Sequence, residues 1–269
     1  MNLIYSCVFY NKEYIKVVEL LLKSYSMAVK DMSKYTYLII TEPTFKDNIE
    51  KICKNLKINY DIWCVNIKNE NLTRNPLTHL DNCFQACYSR FYISDYPKIN
   101  NFKKILYLDC DLLIANDLSP IFDLKLENLL YVVHEPIHRN NHCFFFSNDE
   151  FNNLDKSKTF TTAILLFNNN DFMHNIIKTN LRMMKEFQSK NSRIAPPCFD
   201  QPVTNKICID NNMSNNSILS EYCLNVMGSD TIDKINQINS YIICHFATSV
   251  GHSESKLLRM RYSLEKIML

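Results

Sequence analysis

Apolar and polar positions alternate in blocks along the first part of the chain. Three short apolar runs, at residues 2–9, 35–41 and 58–65, predict buried strands. Between them, residues 14–25 and 45–56 carry apolar side chains at helical spacing. Strands that alternate with helices through short connections predict a parallel sheet with right-handed crossovers.

The apolar run at residues 105–109 ends in one carboxylate, Asp109, and a second one, Asp111, follows after a single residue. Open α/β sheets bind ligands at the carboxyl ends of their strands, and extended backbone would turn both side chains to the same side. Two such carboxylates repel each other unless a cation lies between them, and Mn²⁺ or Mg²⁺ also binds phosphates. The alternative is a strand that ends in two solvated aspartates. The segment that follows, residues 116–120, favours the metal site.

The same patterns continue to the end of the chain. They predict further strands at residues 129–134, 159–168 and 241–246, and helices at residues 80–96, 172–187 and 254–269. The last helix is basic and amphipathic, which suits a membrane surface or, as we expect, closure of the domain. Three successive phenylalanines in the polar segment 136–153 either stack on sugars or pack inward.

The composition narrows the class of protein. A chain of 269 residues with 46% hydrophobic and 22% charged residues suits a globular α/β protein. A net charge of +2 argues against a nucleic acid partner. No apolar stretch approaches the roughly 18 residues of a membrane span, and residues 1–10 read as a strand rather than a signal peptide. Eleven cysteines without Cys-x-x-Cys spacing indicate reduced thiols in a cytoplasmic protein.

The segment 106–120 resembles the Asp-x-Asp segment of family 8 glycosyltransferases, the group that includes glycogenin and bacterial lipopolysaccharide galactosyltransferases. Five further segments resemble the family's signatures in the family's order. They are Tyr10-Asn11 with Tyr14, Ala86 with Tyr88 and Arg90, the strand 159–168, Asp200-Gln201 with Asn205, and His245-Phe246.

This resemblance implies a GT-A-like single α/β domain with a mixed central sheet. Residues 1–125 would form a Rossmann-type nucleotide-binding half, residues 126–252 a sugar and acceptor half, and residues 253–269 a C-terminal helix. The implied activity is a metal-dependent, retaining transfer of a hexose from a nucleotide sugar, a UDP-sugar above all, to a carbohydrate or glycosylated acceptor. The sequence leaves the acceptor and a homodimer open.

The resemblance also assigns site residues. It implies catalytic roles for Asp200 and Gln201, and a metal site formed by Asp109, Asp111 and His245. The residues that it places at the donor are Tyr10, Asn11, Tyr14, Arg90, Asp109, Cys110, Asp111, Thr161 and His252. Structural alternatives stay open for five of these residues. Asn11 and Asp200 also suit helix caps, Tyr14 also suits core packing, Arg90 also suits a surface charge, and His245 also suits a buried, hydrogen-bonded residue.

The chain departs from the family pattern at five positions. Pro197 stands where glycogenin has a second acid, and Thr248 replaces a glycine. Thr161 stands where the family has a sugar-binding asparagine, and Ala163 replaces a glycine. Gly251 occupies the position of a diphosphate-binding lysine, so His252 or Lys256 would have to replace that cation. The missing lysine and Thr161 keep open a nucleotide-sugar-binding protein without activity. The other alternative is a Mg²⁺-dependent phosphatase of the haloacid dehalogenase type, which also begins from a strand and Asp-x-Asp and whose acidic fourth motif residues 226–233 faintly resemble.

Overall fold

The structure is a computed structural model that describes residues 1–66, 87–136, 142–190, 196, 198–226, 232–247 and 253–268. Its strands are β1 Asn2–Val8, β2 Tyr35–Thr41, β3 Tyr60–Cys64, β4 Lys104–Leu108, β5 Leu112–Ile114, β6 Leu130–His134, β7 Phe160–Asn168, β8 Ser214–Asn215, β9 Cys223–Asn225 and β10 Ile243–His245. Its helices are α1 Glu13–Ala28, α2 Lys46–Asn55, α3 Ser119–Asp123, α4 Asn148–Asn153, α5 Asp171–Lys190, α6 Gln201–Asp210, α7 Ile232–Ile235 and α8 Ser253–Ile267.

Seven strands form a central mixed sheet in the order β3-β2-β1-β4-β7-β6-β8. β1 runs parallel to β2 and β4, whereas β7 runs antiparallel to both β4 and β6. A second sheet of three strands, in the order β5-β10-β9, lies beyond the end of β4. The carboxyl ends of β1 and β4 therefore meet the start of β7 at one edge, where ligands bind in such sheets.

Both faces of the central sheet are covered, because successive side chains along a strand point to opposite faces. Ile4 and Val8 of β1 join one apolar cluster with α1, α8 and the second sheet. Leu3 and Tyr5 join the other cluster, with α5, α6 and a 3₁₀ segment at Ser89–Asp95. This layering explains why β2 is buried at every position and reads as a continuous apolar run.

The predicted strands and most predicted helices are present with small shifts at their ends. The predicted helix 80–96 differs: its described part, from residue 87, runs into the 3₁₀ segment Ser89–Asp95. Residues 89–93 of this segment are all buried, so no polar face supports a longer amphipathic helix. None of the described helices is both long and apolar enough to cross a bilayer. No disulfide joins the described cysteines.

Candidate active site

Asp109 and Asp111 lie where the chain leaves the central sheet and enters the second one. β4 ends at Leu108 and β5 begins at Leu112, and Cys110 and Asp111 form a turn between them. The extended backbone expected for this segment is not found, because the chain bends in order to change sheets. The two carboxylates are consequently held by different neighbours.

A β-bulge in β7 opens the backbone beside Asp109. Val132 pairs with Leu165, but the next residue of β6 pairs with Thr161, so residues 162–164 lie outside that ladder. The Thr162 carbonyl accepts a hydrogen bond from Arg90 at 2.5 Å, and the Thr162 N–H donates to the Gln201 side chain at 3.3 Å. The bulge therefore supplies backbone groups to the site without disturbing the pairing of β7 with β4.

Arg90 is the charged centre of this region and is only 4% exposed. Its guanidinium lies 3.1 Å from Asp109 Oδ1 and 3.5 Å from Asp200 Oδ2, and it stacks 4.6 Å from the centre of the Tyr107 ring. The Tyr107 hydroxyl also donates to Asp109. We call Arg90, Asp109 and Asp200 the arginine cluster. Its single guanidinium offsets two carboxylates, of which Asp200 is buried and Asp109 is partly exposed.

Asp200 directly precedes α6, at the N-cap position, yet its side chain makes no cap hydrogen bond to that helix. The carboxylate faces Arg90 instead, and its Oδ2 atom has no hydrogen-bond partner among the described residues. Two consecutive residues with left-handed backbone, Cys198 and Phe199 (φ 51° and 55°), direct the chain into this position. Burial raises the pKa of Asp200 to about 6, although Arg90 opposes the shift. The helix-cap interpretation of this side chain is wrong.

Asp111 belongs to a second group, the lysine cluster, formed with His245 and Lys256. The Lys256 ammonium bonds to Asp111 Oδ2, and His245 Nε2 lies 3.7 Å from Asp111 Oδ1. His245 reaches this point because β10 pairs antiparallel with β5, with His245 opposite Leu112. Burial alone would raise the pKa of Asp111. The positive charges of Lys256 and His245 outweigh the effect of burial, so the pKa of Asp111 lies below its ordinary value. Lys256 thus lies at the segment that the sequence predicts to bind a metal.

The donor set for a metal is present, but in this structure each carboxylate already has a cationic partner. Two carboxylates and one imidazole suit Mn²⁺ or Mg²⁺. Arg90 bonds to Asp109, however, and Lys256 bonds to Asp111. Among the described residues, no three acidic, histidine or cysteine side chains are arranged as a metal site. The residues fit the metal by their chemistry, and binding requires Lys256 to move away from Asp111.

The predicted nucleotide residues follow β1 at the same edge. Tyr10 has a left-handed backbone (φ 61°), and its buried hydroxyl has no hydrogen-bond partner in the described part of the chain. Asn11 is exposed, and its side chain accepts a hydrogen bond from the Glu13 N–H at 2.9 Å, as at a helix start. Tyr14 packs beside the first apolar cluster. The contacts of all three with a donor stay predictions.

The other residues predicted to contact the nucleotide sugar either lie in the protein interior or lie outside the described residues. The Cys110 thiol is 5% exposed and donates to the Cys7 carbonyl at 3.1 Å. The Thr161 hydroxyl accepts from the Ala163 N–H at 3.3 Å. His252 lies outside the described residues, whereas its predicted alternative, Lys256, lies in the first turn of α8. A donor role for each of these residues stays a prediction.

Two residues of the site, Glu135 and His142, were not predicted from the sequence. Glu135 directly follows β6, and its carboxylate lies 3.1 Å from His142 Nε2 and 2.9 Å from Gln201 Nε2. The position of Glu135 after a buried strand is the signal that could have identified it. No comparable signal exists for His142, which lies in the polar loop yet is 1% exposed.

Comparison with known proteins gives the family. The model of glycosyl transferase family 8 matches residues 6–252, and the chain belongs to this family. It is therefore a nucleotide-sugar-dependent glycosyltransferase, as predicted, and the phosphatase alternative is set aside. A search of curated protein sequences gives no match.

Solved structures support the fold. The galactosyltransferase LgtC, solved with donor and acceptor sugar analogs, has a TM-score of 0.66 and 16% identity over 99% of this chain and 95% of its own. Mouse xyloside xylosyltransferase 1 has a TM-score of 0.60 and 12% identity, over 94% of this chain and 98% of its own. GlyE of Streptococcus pneumoniae TIGR4 has a TM-score of 0.57 and 19% identity, over 98% of this chain and 63% of its own. The predicted GT-A-like single domain is confirmed.

Proposed function

We propose that this protein transfers a hexose from a UDP-sugar to a carbohydrate or glycosylated acceptor, with retention at the anomeric carbon. The observation that carries the proposal is the convergence of Asp109, Arg90, Asp200 and Gln201 at the edge where β4 meets β7. Family 8 membership supplies the class of reaction. The similarity to a galactosyltransferase and a xylosyltransferase supports a sugar donor, but leaves the sugar open.

Asp109, Asp111 and His245 would hold Mn²⁺ or Mg²⁺, which supplies Lewis-acid stabilisation of the leaving diphosphate. The protein's own residues prepare this site. Arg90 offsets the charge of Asp109 and Asp200 and keeps both carboxylates in place. Lys256 offers a second cation beside the same segment and, once displaced from Asp111, could face the diphosphate.

Asp200 and Gln201 would orient the donor sugar. Gln201 is held on two sides, by the Thr162 N–H and by the Glu135 carboxylate. Asp200 carries an oxygen without a hydrogen-bond partner among the described residues, and a sugar hydroxyl could donate to it. Fixed polar groups of this kind reduce the reorganisation that transfer requires.

The direct test is a panel of UDP- and GDP-sugars with Mn²⁺, in which release of free nucleoside diphosphate is measured. We expect one UDP-sugar to be consumed, and only with a divalent ion present. Asp111→Ala should abolish Mn²⁺-dependent UDP binding. Asp123→Ala, which removes an exposed carboxylate on α3, is the matched control and should leave UDP binding unchanged.

A second candidate is a nucleotide-sugar-binding protein without transfer activity. Two observations favour it: Lys256 is bonded to Asp111, and Gly251 stands at the family's lysine position. Binding of UDP-sugars without any release of UDP, for every donor and acceptor in the panel, would support this candidate over the enzyme.

A further inference from the structure

The Glu135 carboxylate, the His142 imidazole and the Gln201 amide meet in the part of the site that is proposed to hold the donor sugar. Glu135 Oε2 lies 3.1 Å from His142 Nε2 and 2.9 Å from Gln201 Nε2. The three residues come from the end of β6, from the loop before α4 and from the first position of α6. Gln201 is 8% exposed and His142 is 1% exposed, so water competes little for these hydrogen bonds.

Glu135 is fixed at both its backbone and its side chain. Its N–H donates to the Thr159 carbonyl at 3.2 Å, and the Thr159 hydroxyl donates to the Glu135 carbonyl at 2.8 Å. These bonds anchor it to the start of β7, beside the bulge. Burial alone would raise the pKa of Glu135, but the hydrogen bond with His142, the charges of His142 and His245 and the hydrogen bond with Gln201 together outweigh burial, and the pKa lies below the ordinary value. Glu135 is therefore ionised at neutral pH.

An ionised carboxylate decides the orientation of the Gln201 amide. A carboxylate only accepts hydrogen bonds, so the NH₂ group of Gln201 must face Glu135. The amide oxygen then faces the other way and accepts from the Thr162 N–H at 3.3 Å. Without the charge on Glu135, only the 3.3 Å hydrogen bond from the Thr162 N–H would hold the amide in this orientation. Glu135 and Thr162 together therefore fix the polarity that Gln201 presents to a substrate.

We propose that Glu135, held by His142, is a positioning residue that sets the orientation of the Gln201 amide toward the donor sugar. This role rests on the proposed function of Gln201. Glu135 acts through the hydrogen bond to Gln201, and His142 acts by fixing Glu135. The loop that carries His142 also carries the aromatic pair Phe144 and Phe145, so changes in that loop would reach the sugar site through this contact.

One test needs no turnover. The chain contains four glutamines, at positions 85, 188, 201 and 237, so ¹⁵N-glutamine labelling gives few side-chain NH₂ signals, and Gln201→Ala identifies the one from Gln201. We expect Glu135→Gln to shift or broaden that signal. Glu150→Gln is the matched control, because Glu150 lies on α4 and bonds to Ser147 and to the exposed end of Lys206 on α6 rather than to Gln201. It should leave the signal in place. An unmoved signal in Glu135→Gln overturns the proposal.

The kinetic test is a double-mutant cycle. Glu135→Gln should lower kcat by roughly 10- to 100-fold, as small misplacements in active sites do, while the affinity for UDP changes little. In a Gln201→Ala background the same substitution should have almost no further effect. Equal losses in both backgrounds overturn the proposal, because Glu135 would then act independently of Gln201. Glu135→Asp should restore part of kcat.

The two hypotheses fail in different measurements. If the unchanged protein releases no nucleotide from any sugar donor, the proposed transfer activity is contradicted and the positioning role falls with it. If the unchanged protein is active and the cycle is additive, only the positioning role is contradicted. Melting temperatures of all variants, compared with that of Glu150→Gln, show whether any loss of kcat arises from unfolding.

Discussion

Asp109 and Asp111 are two residues apart in the chain, but the protein holds them in different ways. In the arginine cluster, Asp109 receives hydrogen bonds from Arg90 and Tyr107, which stack on each other. In the lysine cluster, Asp111 receives one from Lys256, with His245 at 3.7 Å. Burial raises the pKa of Asp109, whereas Lys256 and His245 overcome burial and lower that of Asp111.

This difference indicates which of the two cations, Arg90 or Lys256, a ligand can replace. The Arg90 guanidinium is engaged on several sides, by Cys87 and Thr162 carbonyls and by two carboxylates, so removing it would leave several groups without a partner. Lys256 has a flexible stem and one carboxylate partner. We therefore interpret the arginine cluster as a permanent part of the fold, and the lysine cluster as the place where a metal or a diphosphate replaces a protein charge.

The largest effect should come from Arg90→Met. The variant keeps the stem but leaves the buried Asp200 and the partly exposed Asp109 without a cation. Breaking a buried ion pair in this way typically costs about 3–5 kcal/mol of stability. The measurement is the free energy of unfolding in urea. Lys98→Met is the matched control: Lys98 bonds to Asp61 at 2.5 Å on an exposed surface, where such pairs contribute about 0–1 kcal/mol. Equal losses in the two variants would contradict a structural role for the arginine cluster.

The second prediction uses the pKa of Asp200. Because this pKa is raised from 3.8 to about 6, the folded state holds the proton more tightly than the unfolded state does. The charged carboxylate therefore opposes folding above pH 6, and this cost is absent below the unfolded value. Asp200→Asn should stabilise the protein increasingly as the pH rises through this range, reaching about 3 kcal/mol at neutral pH.

The measurement is urea unfolding at a series of pH values across that range, for the unchanged protein and the variant. Asp123→Asn, on an exposed site of α3, controls for the loss of one negative charge. If the difference in unfolding free energy between the unchanged protein and Asp200→Asn stays constant with pH, Asp200 keeps an ordinary pKa. Arg90 would then offset the effect of its burial completely.

The third prediction concerns the lysine cluster. Lys256→Met removes the cation that occupies Asp111, so Mn²⁺ should bind the variant more tightly in the absence of nucleotide, and should raise its melting temperature more than that of the unchanged protein. If Lys256 also grips the diphosphate, affinity for UDP falls in the same variant, since a charge-assisted hydrogen bond is worth about 1.5–3 kcal/mol.

The control is Lys266→Met on the same helix, where Lys266 lies over the Tyr262 ring. It should change neither Mn²⁺ binding nor UDP binding. Weaker Mn²⁺ binding by Lys256→Met would contradict the competition, because it would mean that Lys256 supports the metal site rather than occupying it.

The sequence predicted the parts of this molecule that depend on local patterns. The boundaries of β1 and β2 follow from short apolar runs, and Asn11 starts α1 with a hydrogen bond to a nearby N–H. The order of motifs predicted the family. The bond of Lys256 to Asp111 and the turn of Asp200 toward Arg90 were not predictable, because each joins residues far apart in the chain. Glu135 was missed although its position after a buried strand is a signal, whereas no signal in the sequence marks His142.

The smallest effect is expected at Asn11, where a hydrogen bond at the helix start is observed and a contact with the nucleotide is predicted. As a cap it accepts from the Glu13 N–H, so Asn11→Ala should cost about 0.5–1 kcal/mol of unfolding free energy. Asn11→Asp keeps an acceptor for that N–H but removes the amide donor. If the amide contacts the uridine, UDP affinity falls in both variants, whereas stability falls only in Asn11→Ala.

Unchanged UDP affinity in both variants, measured by calorimetry with Mn²⁺, would leave Asn11 as a helix cap alone. Since neither cluster touches Asn11, a loss of UDP affinity here would place the base of the nucleotide at the end of β1, with the diphosphate left for Asp111 and Lys256.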